Sequence, residues 1–131
     1  MRFNLKDLNP GTVFLFNDDK PEEGSVTLRL CNGQALTDIR KQTVKKRYEY
    51  KRGARMEVED FNDELHSELL WDYAIVDWSG VEDEKGKPIP CTRENKALLM
   101  RGSPVFSRLV GNYLDRLGEE EAAHAEAVEK N

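Results

Sequence analysis

Cysteine is scarce in this chain of 131 residues, and so are the patterns that usually announce chemistry. Cys31 and Cys91 lie in unrelated contexts with no CxxC spacing, which argues against a disulfide framework or a zinc site; both read as small, partly buried hydrophobes. No apolar run reaches the length of a membrane-crossing helix, and the opening Met1-Arg2-Phe3-Asn4-Leu5-Lys6 lacks the apolar stretch of a signal peptide. The expectation is a cytosolic protein without membrane contact. Histidine is nearly absent. His66 falls on the polar side of a helical segment near Asp63, yet no motif places a nucleophile for it to activate, and His124 belongs to a polar tail; surface or capping roles are expected of both. Gly86-Lys87-Pro88 lacks the glycines and hydroxyl residue of a phosphate-binding loop, and Asp83, Glu84 and Gly86 do not follow the ligand spacing of a calcium loop. The expectation is therefore a non-enzyme with no catalytic residue, metal or cofactor.

What is present suggests an α+β domain. The length fits one core, the hydrophobic fraction is 38% and the charged fraction 34%. Thr12 to Asn17 and Ser25 to Asn32 are rich in strand formers, and Val26, Leu28 and Leu30 alternate with Thr27, Arg29 and Cys31, predicting an N-terminal β-hairpin with one buried face. Its connection, Asp18 to Gly24, is polar, turn-forming and expected to be mobile. Gln34 to Lys51 reads as a helix with a thin apolar face of Leu36, Ile39, Val44 and Tyr48, and Arg55 to Glu59 is a candidate third strand. The order implies a hairpin packed with three to four helices and a helical C-terminal half.

From Phe61 the apolar positions Leu65, Leu69, Leu70, Tyr73, Ala74 and Val76 follow helical spacing, and Trp71, Ile75 and Trp78 make the end of this segment apolar on nearly every side. That end is expected to be the most buried part of the fold, with Gly80 as its stop. Gly86, Pro88 and Pro90 then set a rigid turn. Thr92 is placed to cap the next helix, and Glu94 favours the positive end of that helix's dipole. Ser103-Pro104 opens a last helix whose stripe is Phe106, Leu109, Val110, Tyr113, Leu114 and Leu117; Gly118 is a candidate interruption. Residues 1–117 thus form the domain, and 118–131, with only alanines and Val128 to bury, form a loosely attached charged tail.

Trp78-Ser79-Gly80-Val81, the acidic turn Asp83-Glu84-Lys85-Gly86, and Pro88-Ile89-Pro90-Cys91-Thr92-Arg93-Glu94-Asn95 together resemble the central motif of phage tail assembly chaperones. The resemblance runs roughly from residue 25 to 131 and is densest from Trp71 to Leu117; residues 1–24 carry none of it. Trp71, Trp78, Gly80, Gly86, Pro88, Pro90, Thr92 and Asn95 are the motif positions. The resemblance implies a protein that coats the long, helical tape measure protein in the host cytoplasm until tail tube protein polymerises around it, and that is absent from the finished virion. It also implies that a longer, frameshifted product exists in many such phages, of which this chain would be the shorter counterpart. The client surface expected here is the last helix, through Phe106, Val110 and Tyr113, which pack either on their own domain or on a partner.

Charge is segregated along the chain beneath a net charge of −5 and a pI near 5.1. Arg40, Lys41, Lys45, Lys46, Arg47, Lys51, Arg52 and Arg55 face the single acid Glu49, whereas Glu57 to Glu84 holds acids and no lysine or arginine. Solvated faces are the ordinary reading; a dipolar surface that favours head-to-tail self-association or a charged partner is the sharper one. Arg40, Lys41, Lys45 and Arg47 are the candidate contacts. A basic Arg40–Arg55 helix with Tyr48 and Tyr50 for stacking also offers nucleic-acid binding as the alternative, against which stand the acidic chain, the acidic neighbouring span and the absence of any DNA- or RNA-binding signature. Another minor phage tail or structural protein is the remaining alternative.

Overall fold

The structure, a computed structural model, describes residues 1–129. Strand β1 (Thr12–Leu15) and strand β2 (Ser25–Leu28) form the predicted antiparallel hairpin, with Phe14 opposite Val26 and Thr12 opposite Leu28. Alternation works as expected: Val26 and Leu28 are fully buried, and their neighbours Ser25 and Thr27 are half-buried. The connection carries a single turn of 3-10 helix at Pro21–Glu23.

Helix α1 (Gly33–Thr43) is capped by Asn32, whose side chain accepts from the Ala35 amide at 2.9 Å. It ends eight residues before the predicted Lys51. Thr43 turns its hydroxyl back onto the carbonyls of Ile39 and Arg40, and the chain leaves as strand β3 (Val44–Lys51), returning as β4 (Ala54–Phe61). The expected Arg40–Arg55 basic helix is therefore helical only to Thr43; the remainder is strand β3, the turn and the start of β4. The candidate strand at Arg55 to Glu59 is a strand, but it pairs with β3 in a separate two-stranded sheet instead of extending the first hairpin.

Helix α2 (Asp63–Ala74), capped by Asn62, also stops early. Ile75–Ser79 is strand β5, antiparallel to β2 with Trp78 opposite Val26, so the main sheet runs β1-β2-β5. Helical spacing over Phe61–Trp78 was real only to Ala74. Beyond it Ile75 and Trp78 are buried by pairing with a strand nearly fifty residues away in sequence, which no local pattern reports. Helix α3 (Arg93–Gly102) follows, and helix α4 (Pro104–Glu129) runs unbroken through Gly118. Side chains of α4 are exposed from Glu119 to Ala127; the side chain of Val128 and residues 130–131 of the predicted tail lie outside the described residues.

The core lies between the main sheet and α4. Phe14, Val26, Leu28, Ile75 and Trp78 meet Phe106, Val110 and Leu117, with Trp71, Leu99, Met100, Tyr113 and Leu114 at its edge. Trp78 and Phe106 meet edge to face at 5.8 Å, and Phe14 stacks on Tyr113 at 4.7 Å.

Candidate partner interface

The motif from Trp78 to Asn95 folds as one hydrogen-bonded unit. Gly80 and Gly24 pass so closely that a Cβ on Gly80 would lie 2.3 Å from the Glu23 carbonyl oxygen, and one on Gly24 would lie 2.2 Å from that of Ser79. Both glycines also have positive φ, +74° and +118°. The chain then makes a small second turn. The Ile89 amide donates to the Val81 carbonyl, the Asp83 amide to the Lys87 carbonyl, and Asp83 Oδ1 accepts from the Lys85 and Lys87 amides, while Gly86 takes φ +77°. Trp78 Nε1 donates to the Ile89 carbonyl at 2.7 Å, tying the turn to the sheet. The Pro90 carbonyl accepts from Asn95 Nδ2 at 2.9 Å and from the Thr92 amide at 3.0 Å, and Thr92 Oγ1 caps α3 by accepting from the Asn95 amide. Pro88 pairs with Glu82 in an isolated bridge. Every motif residue downstream of Trp71 thus shapes one rigid corner. Trp71 itself lies on α2 with the Arg101 guanidinium over its ring.

Phe106, Val110 and Tyr113 are spent on their own domain. Phe106 and Val110 are buried, Val110 almost completely, and Tyr113 donates its hydroxyl to the Leu15 carbonyl at 2.9 Å. Of the two packings open to this helix from its sequence, the described conformation takes the internal one for Phe106 and Val110, while the half-buried Tyr113 borders a small hollow with Val13, Phe16 and Arg116.

The surface that remains is the β3–β4 ribbon. Its strands are joined by a two-residue loop, Arg52-Gly53, with both residues at positive φ (53° and 77°), the geometry that matches a hairpin's twist. The pairing runs from Val44 opposite Phe61 to Lys51 opposite Ala54. One face carries Val44, Lys46, Tyr48 and Tyr50 beside Phe61, Glu59, Glu57 and Arg55; the other carries Lys45, Arg47, Glu49 and Lys51 beside Asp60, Val58, Met56 and Ala54. No residue of either strand is fully buried. Tyr50 is 73% exposed and Tyr48 51%, with the Arg55 guanidinium 3.7 Å above the Tyr48 ring.

The ribbon also rewrites the charge pattern. Folding back at Arg52-Gly53 sets the basic strand against the acidic one, so that Lys46 pairs with Glu57, Arg47 with Asp60 and Glu49, and Arg40 of α1 with Glu59. These neighbours hold the Arg47 guanidinium above its ordinary pKa, Glu49 contributing most. On the other flank α3 neutralises α2: Arg101 binds Glu64 and Glu68, Arg93 binds Glu68, and Lys96 binds Asp72. The hydrogen bond from Arg101 lowers the Glu68 carboxyl. The dipole expected along the sequence is largely folded onto itself. Arg40 and Lys41 lie on α1, Lys45 and Arg47 on β3, so the four candidate contacts do not form one helical face.

Sequence reasoning missed Lys96, which is 6% exposed and places its ammonium 3.1 Å from both the backbone carbonyl and the carboxylate of Asp72. Its helical position opposite an acid of α2 was invisible without the α2–α3 packing. A shallow hollow of about 580 Å³ between these helices is lined by Glu68, Arg93 and Arg101, whose charges are engaged with one another. Cys31 and Cys91 are half-buried, and burial pushes both thiols up. Among the described residues no cluster of His, Cys, Asp and Glu is arranged to hold a metal, and no helix is long and apolar enough to cross a membrane.

The architecture is that of a small α+β domain from which an exposed ribbon projects. A family model described as YdaY prophage protein matches residues 33–131, and the chain belongs to the YdaY prophage protein family. The matched span takes in the ribbon, the tryptophan corner and both C-terminal helices, and leaves out the N-terminal hairpin. No curated protein and no solved structure matches the chain.

Proposed function

We propose that this prophage protein is a non-enzymatic tail assembly chaperone. It binds and shields the tape measure protein in the host cytoplasm, helps recruit tail tube protein, and stays out of the finished virion. The observation that carries this reading is the ribbon: two eight-residue strands outside the core, with Tyr48, Tyr50 and Met56 exposed among charged side chains. Rigid aromatics in a polar surround suit a long amphipathic client, giving apolar contact without an aggregating patch. The likeness of Trp78 to Asn95 to tail chaperones supports the same reading, with the corner as the scaffold and the ribbon as the contact.

Co-expression with the tape measure protein of the same prophage tests the proposal, using duplex DNA as control bait. Wild type is expected to retain the tape measure protein, and a folded Tyr48→Ser/Tyr50→Ser variant to lose it. Retention unchanged by that variant sinks the ribbon as the client surface. A second reading, nucleic-acid binding, draws on one observation: a two-stranded ribbon fits a DNA major groove, and Lys45, Lys51 and Arg52 near it enter no ion pair among the described residues. Retention of DNA that collapses with salt, without retention of the tape measure protein, selects that reading or another minor phage structural role.

A further inference from the structure

Among the described residues β3 and β4 pair only with each other, so both long edges of the ribbon are open there. A two-residue loop makes the closing pair Lys51–Ala54 a hydrogen-bonded one, and pairs alternate from there along the ladder. Lys46, Tyr48 and Tyr50 on β3, and Arg55, Glu57 and Glu59 on β4, therefore direct their backbone N–H and C=O groups away from the ribbon. Such edges are templates for another strand.

We propose that a second copy of this chain occupies them, β3 of one copy receiving β4 of the next. Charge selects this partner. Pairing β3 with β3 sets Lys45, Lys46, Arg47 and Lys51 against themselves, and pairing β4 with β4 does the same to Glu57, Glu59 and Asp60. Glu49 on β3 and Arg55 on β4 offset this only in part, whereas β3 against β4 sets a mainly basic strand against a mainly acidic one and repeats the complementarity already present inside one ribbon, where Lys46 meets Glu57 and Arg47 meets Asp60. Direction agrees as well: copies related by a sideways translation place β4 of the second antiparallel to β3 of the first. The contact is heterologous and does not close on a two-fold axis, so copies add in a row. Tyr48 and Tyr50 of successive copies then line one face of a growing sheet. Assembly through the ribbon is independent of which client the protein serves.

Proline at an outward-facing position removes an edge donor while leaving the ribbon's own ladder intact. Tyr48→Pro closes the β3 edge and Glu57→Pro closes the β4 edge. By sedimentation velocity, wild type is expected to form concentration-dependent oligomers, each variant to be monomeric, and an equimolar mixture of the two to form a 1:1 complex through the edges that remain open. A wild type that stays monomeric over the attainable concentration range overturns the proposal, as does a mixture of folded variants that stays monomeric, or variants that assemble like wild type. Should a variant lose its far-UV circular dichroism, salt decides on wild type alone: dispersal of the oligomers toward about 1 M salt supports the charge-selected edge, and oligomers indifferent to salt overturn it.

Discussion

Two antiparallel β-structures in this protein, one with a register shift between Thr27 and Leu28 and one in unbroken register, meet opposite fates. In β1-β2-β5, one face is closed by α4, and Val26, Leu28 and Ile75 are completely removed from water. In β3–β4 neither face is covered, and the strands carry mostly charged and aromatic side chains, with Val44, Ala54, Met56 and Val58 among them. The first sheet is held by burial, which scales with apolar area. The second is held by its backbone ladder, a favourable turn and cross-strand ion pairs worth about 0–1 kcal/mol each at exposed sites. An isolated two-stranded hairpin is marginal in water, and here it is anchored where Val44 and Phe61 join α1 and α2. The proposed contacts with a client and with a second copy both draw on this uncovered element.

Substitutions that separate these two kinds of stability test the contrast. Ile75→Ala opens a cavity beneath the main sheet and is expected to cost about 3–4 kcal/mol in chemical denaturation, whereas a similar truncation in the ribbon, Val58→Ala, stays within about 0.5 kcal/mol. Equal losses at the two sites would erase the distinction between core and ribbon. Next in size is the buried ammonium. Asp72→Ala leaves Lys96 with one carbonyl partner and is expected to cost about 2 kcal/mol; Lys96→Met removes the charge itself and costs less, because an apolar chain suits that site. Reversal of that order in paired melts would mean the ammonium is hydrated. Thr92→Ala removes the α3 cap and is expected to lower stability by about 1 kcal/mol, with no change in ribbon-dependent binding.

The smallest effect is electrostatic. Glu68 has its carboxyl lowered first by the hydrogen bond from Arg101, so its contribution is fully present above the ordinary glutamate pKa and fades as pH falls through the lowered folded value. Acid titration of Glu68→Gln against wild type should show the two stability curves converging at low pH. A constant gap down to the acid limit would assign the difference to packing.

Local chemistry made several elements legible. Val26 and Leu28 alternate because one strand face is buried; Thr92 and Ser103-Pro104 announce helix starts because short polar caps and an N-terminal proline satisfy or dispense with orphan amides; Gly86 marks a turn that takes positive φ, whereas Gly80, expected to stop a helix, follows strand β5 instead, also at positive φ. The motif residues from Trp78 to Asn95 were legible as a group, and the structure joins them into one corner. Two helix-to-strand transitions were not legible. Leu36, Ile39, Val44 and Tyr48 keep helical spacing across Thr43, and Leu70, Tyr73 and Ala74 keep it into Ile75, so a local pattern continues where the structure changes. In retrospect, the alternation of Lys46, Tyr48 and Tyr50 and the Arg52-Gly53 turn were the available strand signals. The stripe Phe106, Val110 and Tyr113 was correctly read as apolar, but a stripe does not say what covers it.

The sequence by itself determined the class of fold, the caps and turns, and the apolar stripe of α4, since these depend on side-chain geometry within a few residues. Only the tertiary structure decided that Ile75 and Trp78 belong to a strand, that Phe106 and Val110 face inward, that Lys96 is buried on Asp72, and that the basic segment folds back on the acidic one. Each of those depends on a partner distant in sequence, and the free energy of burial or pairing appears only when the chain brings that partner within contact.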